Sequence, residues 1–263
     1  MKLFDSHAHY FDKRLDGIGG AERVLCQEVF GGEVGRVINV GTNDETNKLC
    51  IEQASHYKEM YAAVGIHPED CRELPENPSS EIKKLKELLI KRRENKIVAI
   101  GEIGFDYHYE GYNKAKQSFY FDAQMKLAQE LDMPVIIHDR EAHGDCFDMV
   151  MKYSDVRGVF HSYSGSAEMA AELVKKGWYI SFSGVLTFKN ARKAVEVAEQ
   201  LPLDRILIET DTPYLAPHPH RGEINHSGLM INTAQKLAEI RGISLEAAAL
   251  LTYNNASRLF GIY

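Results

Sequence analysis

Short apolar runs rich in β-branched residues alternate along the chain with longer stretches whose apolar positions recur every three or four residues. That is the pattern of parallel strands joined by crossover helices. It predicts eight strands: Lys2 to Asp5, Arg36 to Val40, Tyr61 to Val64, Ile97 to Gly101, Pro134 to Ile137, Gly158 to Phe160, Tyr179 to Phe182 and Ile206 to Ile208. The intervening helices carry end signals. Thr42 followed three residues later by Glu45 has the spacing of a capping box. Ile82, Leu85 and Leu89 recur at helical spacing among lysines, and Ala167 to Lys176 closes on two lysines and Gly177, which suits a helix C-terminus. Leu74 to Ser80 reads as one loop. After the eighth strand a loop containing Pro and His, Pro213 to His226, leads to helices over Gly228 to Arg241 and Ser244 to Phe260. An open doubly wound sheet usually has fewer strands and a glycine-rich first turn, so the predicted class is α/β, a closed (β/α)8 TIM-type barrel. No linker or low-complexity tract divides the chain, which predicts one domain over residues 1–263.

Composition narrows this further. With 44% apolar and 26% charged residues, the 263-residue chain is neither disordered nor fibrous. Its apolar runs, such as Val135-Ile136-Ile137, fall far short of the roughly 18 to 20 residues of a membrane span. The opening Met1 to His7 carries an acid and a histidine where a secretory signal would be apolar, so a cytoplasmic protein is expected. The four cysteines include no Cys-x-x-Cys pair, which suggests neither a zinc ribbon nor a disulfide framework. Lys and Arg total 31 against 38 acids, a net charge of −7, so there is no global attraction to a polyanion.

The candidate chemistry clusters at the carboxyl ends of the strands. Strand one leads into Asp5-Ser6-His7-Ala8-His9, where alternation points His7 and His9 the same way, roughly 6 to 7 Å apart along the chain. His67 comes after strand three, Glu102 after strand four, His138 after strand five, His161 after strand six, and Glu209-Thr210-Asp211 after strand eight. In a (β/α)8 barrel these carboxyl ends form the face that carries active sites. A lone histidine at a strand end is more often a hydrogen-bonded structural residue than a ligand. A set of them with carboxylates at one end is costly to bury unless a charge satisfies it, and it suits Zn, Mn, Co or Mg. His56, His108 and His143 read as solvated surface residues without partners. His218, His220 and His226 lie in a loop that either traps metal or shapes access to a pocket.

At these residues the chain resembles the TatD family of metal-dependent deoxyribonucleases, a branch of the amidohydrolase superfamily. The resemblance runs almost end to end through Asp5-Ser6-His7-Ala8-His9, Val64-Gly65-Ile66-His67-Pro68-Glu69, Ile100-Gly101-Glu102-Ile103-Gly104-Phe105-Asp106-Tyr107, Ile137-His138-Asp139-Arg140-Glu141-Ala142, His161-Ser162-Tyr163-Ser164-Gly165-Ser166 and Glu209-Thr210-Asp211-Thr212-Pro213-Tyr214-Leu215-Ala216-Pro217. One departure is Asn225-His226-Ser227, where members commonly have proline in the third position. The resemblance implies two divalent ions (Mg, Mn or Zn): His7, His9, Glu102 and Asp211 on the first, Glu102, His138 and His161 on the second, with Glu102 bridging. It implies a water activated between the ions that attacks phosphorus in line. Asp211 is the candidate base and Glu209 its rival, the latter equally a partner that fixes a ligand. His67 is expected to hydrogen-bond a phosphate oxygen or the leaving group. Arg140 and Arg221 are candidate phosphate contacts, or else ion-pair partners of Asp139 and Glu223.

The expected activity is a 3′-5′ exodeoxyribonuclease acting on single-stranded or frayed DNA ends, because an acidic chain lacks the basic surface of a duplex binder. No membrane and no obligate protein partner is expected. One alternative is hydrolysis of an amide, lactone or aminoacyl ester in the same pocket. Another is a metal-binding protein without catalysis.

Overall fold

A computed structural model describes all 263 residues. The strands are β1 (Leu3–Ala8), β2 (Val34–Val40), β3 (Met60–Val64), β4 (Ile97–Asp106), β5 (Val135–Arg140), β6 (Gly158–Phe160), β7 (Tyr179–Phe182) and β8 (Ile206–Ile208). The helices are α1 (Ala21–Val24), α2 (Asp44–His56), α3 (Ser79–Ile90), α4 (Lys114–Leu131), α5 (His143–Met151), α6 (Ala167–Lys175), α7 (Arg192–Gln200), α8 (Met230–Arg241) and α9 (Leu245–Phe260). The strands succeed one another in the sheet in their sequence order, with helical connections between them: the (β/α)8 class that the alternation predicts. No helix is long and apolar enough to cross a membrane.

The chain divides into two compact units, Met1–Asn39 with His161–Tyr263, and Val40–Phe160. In the first, β1 pairs in parallel with β2 and β7 with β8. Bonds from Asp211 N–H to His7 O and from His9 N–H to Thr212 O tie the end of β8 to β1. Apolar faces of α8 and α9 cover these strands. Phe4 meets Tyr253 edge-on at 5.6 Å and Phe260 at 6.2 Å, and each such aromatic pair adds about 0.5–1.5 kcal/mol to simple burial.

In the second unit β3, β4, β5 and β6 pair in that order, and α4 lays Phe121 against Phe105 of β4 at 5.3 Å. Gly104 has φ 151°, and a Cβ there would run into the carbonyl oxygen of His138. Glycine therefore lets β4 approach β5 closely at that point.

Several local expectations shift. β1, β4 and β5 run past their predicted ends, because the β1–β2 pairing reaches Ala8 opposite Asn39 and the β4–β5 ladder continues to Asp106 opposite Arg140. His7, Glu102 and His138 accordingly lie within strands rather than after them. The box capping α2 is Asn43 with Thr46, one residue later than Thr42 with Glu45. Thr42 is otherwise engaged, its carbonyl accepting from His67 N–H at 2.8 Å. The predicted loop Leu74 to Ser80 is cut short by α3, which starts at Ser79 behind Pro78, and residues 227–229 form a 3-10 turn ahead of α8.

Candidate metal centre

In the first unit the chain builds one donor group from β1 and the segment after β8. The His7 and His9 Nε2 atoms lie 3.0 Å apart. Asp211 Oδ1 lies 3.7 Å from the first and 3.4 Å from the second. Asp211 reaches them from a backbone at φ 59°, a left-handed conformation that Asp tolerates better than most residues. Burial pushes the Asp211 carboxyl upward, but the hydrogen bond to His9 and the nearby imidazoles of His161, His7 and His9 outweigh it and hold it below its ordinary value. Asp5, fully buried beneath them, accepts from the backbone N–H groups of His7 and Thr210 and from the Thr210 hydroxyl. Burial still raises it to about 7.

His161 stacks on His7, ring centroids 4.1 Å apart. Its Nδ1 lies 3.2 Å from Glu209 Oε1, which also accepts from Ser162 N–H at 2.8 Å. Glu209 therefore fixes the His161 ring with one oxygen, while its Oε2 is buried without a hydrogen-bond partner. A buried carboxylate oxygen with no donor is costly, and a cation is one way to satisfy it.

The second unit supplies another donor group. His138 Nδ1 is 2.6 Å from Glu102 Oε1, and His67 Nε2 is 3.7 Å from the same oxygen. The other nitrogen of His138, Nε2, lies 2.9 Å from Asp106 Oδ2. Asp106 Oδ1 accepts in turn from His108 N–H at 2.9 Å. Burial works to raise the Asp106 carboxyl, but the His138 hydrogen bond, and the charges of His138 and His67, hold it below its ordinary value.

Helix α4 keeps this group in place with side-chain amides. Gln117 donates to Asp106 O and accepts from Asp106 N–H. Gln124, two turns further on, makes the same pair of bonds to Ile66, just ahead of His67. Asn47 clamps Gly65 likewise. Sequence reading misses Gln117, Gln124 and Asn47 because polar residues on helices ordinarily face solvent, and gives no role to Asp106 because it falls beyond the predicted end of β4. The available signal is the first glutamine and the second standing seven residues apart on one face of α4.

Of the remaining predicted residues, Arg140 is exposed at the end of β5 and lies over the ring of Tyr109, and Arg221 lies over Phe188. Neither pairs with the acid beside it in sequence, because Asp139 is bonded to His143 and Glu223 to His220. The expectation that His108 and His143 lack partners is corrected by the His143 contact with Asp139 and by a 2.6 Å bond from His108 to Glu141. His56 is exposed at the end of α2. His218, His220 and His226 join neither donor group. His226 lines a separate cavity of about 520 Å³ with Arg23, Glu28 and Glu223. Ser227 uses its N–H and its hydroxyl to bond Tyr10, and a proline at this position could not supply the N–H donor.

Both groups have the chemistry of a divalent-metal site. His7, His9 and Asp211 in one, and His67, Glu102 and His138 in the other, each present three ligand atoms within 4.8 Å of one another, and sulfur takes no part. This donor set on a (β/α)8 fold defines a metal-dependent hydrolase. The chain belongs to the TatD related DNase family, which it matches over residues 4–261. It is 38% identical over 262 residues to the uncharacterized metal-dependent hydrolase YabD of Bacillus subtilis, covering 99% of each chain. It is also 38% identical to YcfH of Escherichia coli K12, another uncharacterized metal-dependent hydrolase, across all of this chain and 97% of that one. The crystal structure of YjjV, a TatD homolog from Escherichia coli K12, superimposes with a TM-score of 0.90 at 29% identity, covering 99% of this chain and 98% of that one.

Proposed function

We propose that this protein is a divalent-metal-dependent deoxyribonuclease that removes nucleotides from the 3′ ends of single-stranded or frayed DNA, with two ions held by His7, His9, Glu102, His138, His161 and Asp211. The observation that carries the reading is the pair of donor groups, His7, His9 and Asp211 in one and Glu102 and His138 beside His67 in the other. The net charge of −7 favours a strand terminus over intact duplex, since a terminus needs few phosphate contacts.

When bound, the ions would lower the pKa of water and offset charge on the phosphoryl oxygens. The protein's own residues divide the remaining work. Asp211, ionised at neutral pH, orients the attacking water and accepts its proton. Glu209 holds His161 through Nδ1, leaving Nε2 as the ligand atom. His67, whose Nδ1 accepts from Glu69 N–H at 3.2 Å, presents Nε2 to a phosphate oxygen or the leaving group.

The test is digestion of 3′- and 5′-labelled oligonucleotides with added Mg or Mn, with chelator, and with His138→Ala. Stepwise loss from the 3′ end that disappears with chelator and in the variant is the expected result. No shortening of any labelled strand, or shortening that persists in His138→Ala, overturns the reading.

A further inference from the structure

Beyond its donor group, the second unit carries an aromatic surface on the segment between β4 and α4, with one arginine, Arg140, packed against it. Tyr109 and Tyr112 are 43% and 42% exposed, well above what is usual for such large rings in a folded domain. Each is backed on one side. The Arg140 guanidinium lies 5.1 Å from the Tyr109 ring centre, with Nη1 3.2 Å from the Tyr109 hydroxyl. Tyr112 is stacked on Tyr107 at 4.6 Å, and the Tyr107 hydroxyl donates to Asp145, which is itself paired with Lys114 at 2.7 Å.

The segment is anchored rather than loose. Tyr107 N–H bonds Arg140 O, His108 N–H bonds Asp106, and Tyr109 O accepts from Arg72. Arg140 stands two residues beyond His138 on β5, so the two side chains leave the same face roughly 6 to 7 Å apart along the strand. Arg140 makes its contacts with Tyr109, and its charge also acts on the Glu69 carboxylate without an ion-pair contact.

We propose that Tyr109 and Tyr112, with Arg140, form a stacking platform for the bases of a single strand whose scissile phosphodiester lies at the Glu102 and His138 group. Every base offers a π-face, so the platform is sequence-tolerant, and duplex DNA, with its bases already stacked on one another, cannot use it. Arg140 acts as the cation behind the first ring and as a donor to the adjoining phosphate. The proposal rests on the nuclease reading above and names the residues that would hold the bases of the strand.

The test is fluorescence anisotropy of a 5′-labelled oligothymidylate in chelator, so that binding is read without cleavage, alongside exonuclease assays with metal. The wild type is expected to bind saturably and Tyr109→Ala to bind about fivefold to a hundredfold more weakly. Tyr109→Phe, which keeps the ring, should restore most of the affinity. A strand whose terminal residues are abasic should bind the wild type and Tyr109→Ala alike. If the wild type binds and shortens DNA but Tyr109→Ala is unchanged in both assays, the platform is overturned and the nuclease reading stands. If the wild type neither binds nor shortens any oligonucleotide, the nuclease reading fails and the platform with it.

Discussion

His138 is held by Asp106: the Nε2 atom of the imidazole lies 2.9 Å from the carboxylate, which fixes the ring with Nδ1 directed at Glu102. A carboxylate behind a ligand histidine sets its tautomer and raises its basicity. Asp106 also accepts from His108 N–H with its other oxygen. Asparagine has only one acceptor oxygen, so Asp106→Asn satisfies one of these donors and loses the other. We expect Asp106→Asn and Asp106→Ala to weaken divalent-metal binding about tenfold to a hundredfold, measured by competition with a fluorescent chelator. Unchanged affinity in both variants would show that the aspartate does not orient the ligand.

Glu209 Oε1 lies 3.2 Å from His161 Nδ1, and we expect it to hold that ring rather than to take a proton from water. In that role Glu209→Gln lowers metal affinity and rate together, each about tenfold to a hundredfold, and leaves the midpoints of the pH–rate profile where they were. A general base would behave differently. Its loss would cut the rate about a hundredfold to ten-thousandfold with metal affinity intact, and the acidic limb of the profile would vanish. The profile of kcat/KM on a chromogenic phosphodiester, recorded with metal titrations, separates the two.

Gly104 joins packing to the site. A methyl group there meets the His138 carbonyl, and the backbone conformation resists any side chain. Gly104→Ala should therefore cost about 3 kcal/mol or more of stability, seen as a lower urea midpoint in metal-free protein. A midpoint equal to the wild type would mean that β4 and β5 are not in this close register.

His226 ties stability to pH. Burial holds its folded-state pKa below the ordinary value of 6.5, so the unfolded chain takes up a proton there first. Its contribution to stability is complete above pH 6.5 and is lost as the pH falls toward the folded-state pKa. The melting temperature of His226→Gln in chelator should thus fall less than that of the wild type between about pH 7 and pH 5. Parallel curves for the two proteins would sink the assignment.

The sequence carries the architecture well, because the alternation of apolar runs is a physical requirement of parallel strands with covered faces. His7, His9, Glu102, His138 and Asp211 are legible as candidate donors, since together at one end of the strands they are costly to bury unless a charge satisfies them. Their supports are not legible. Gln117 and Gln124 look like solvent-facing residues of an amphipathic helix until the backbone they clamp is in place. The length of β4 is equally hidden, for its last residues stay extended through pairing with β5 rather than through any apolar run of their own. Tyr109 and Arg140 lie far apart in the chain, and only the register of β4 with β5 makes them neighbours.

The most direct test of the metal centre is anomalous scattering at the Mn, Co and Zn edges from crystals of protein purified without added metal, repeated after a manganese soak. Peaks are expected at His7, His9 and Asp211 and at Glu102 and His138. Ordered side chains with no anomalous peak at either group, before or after the soak, would contradict the account.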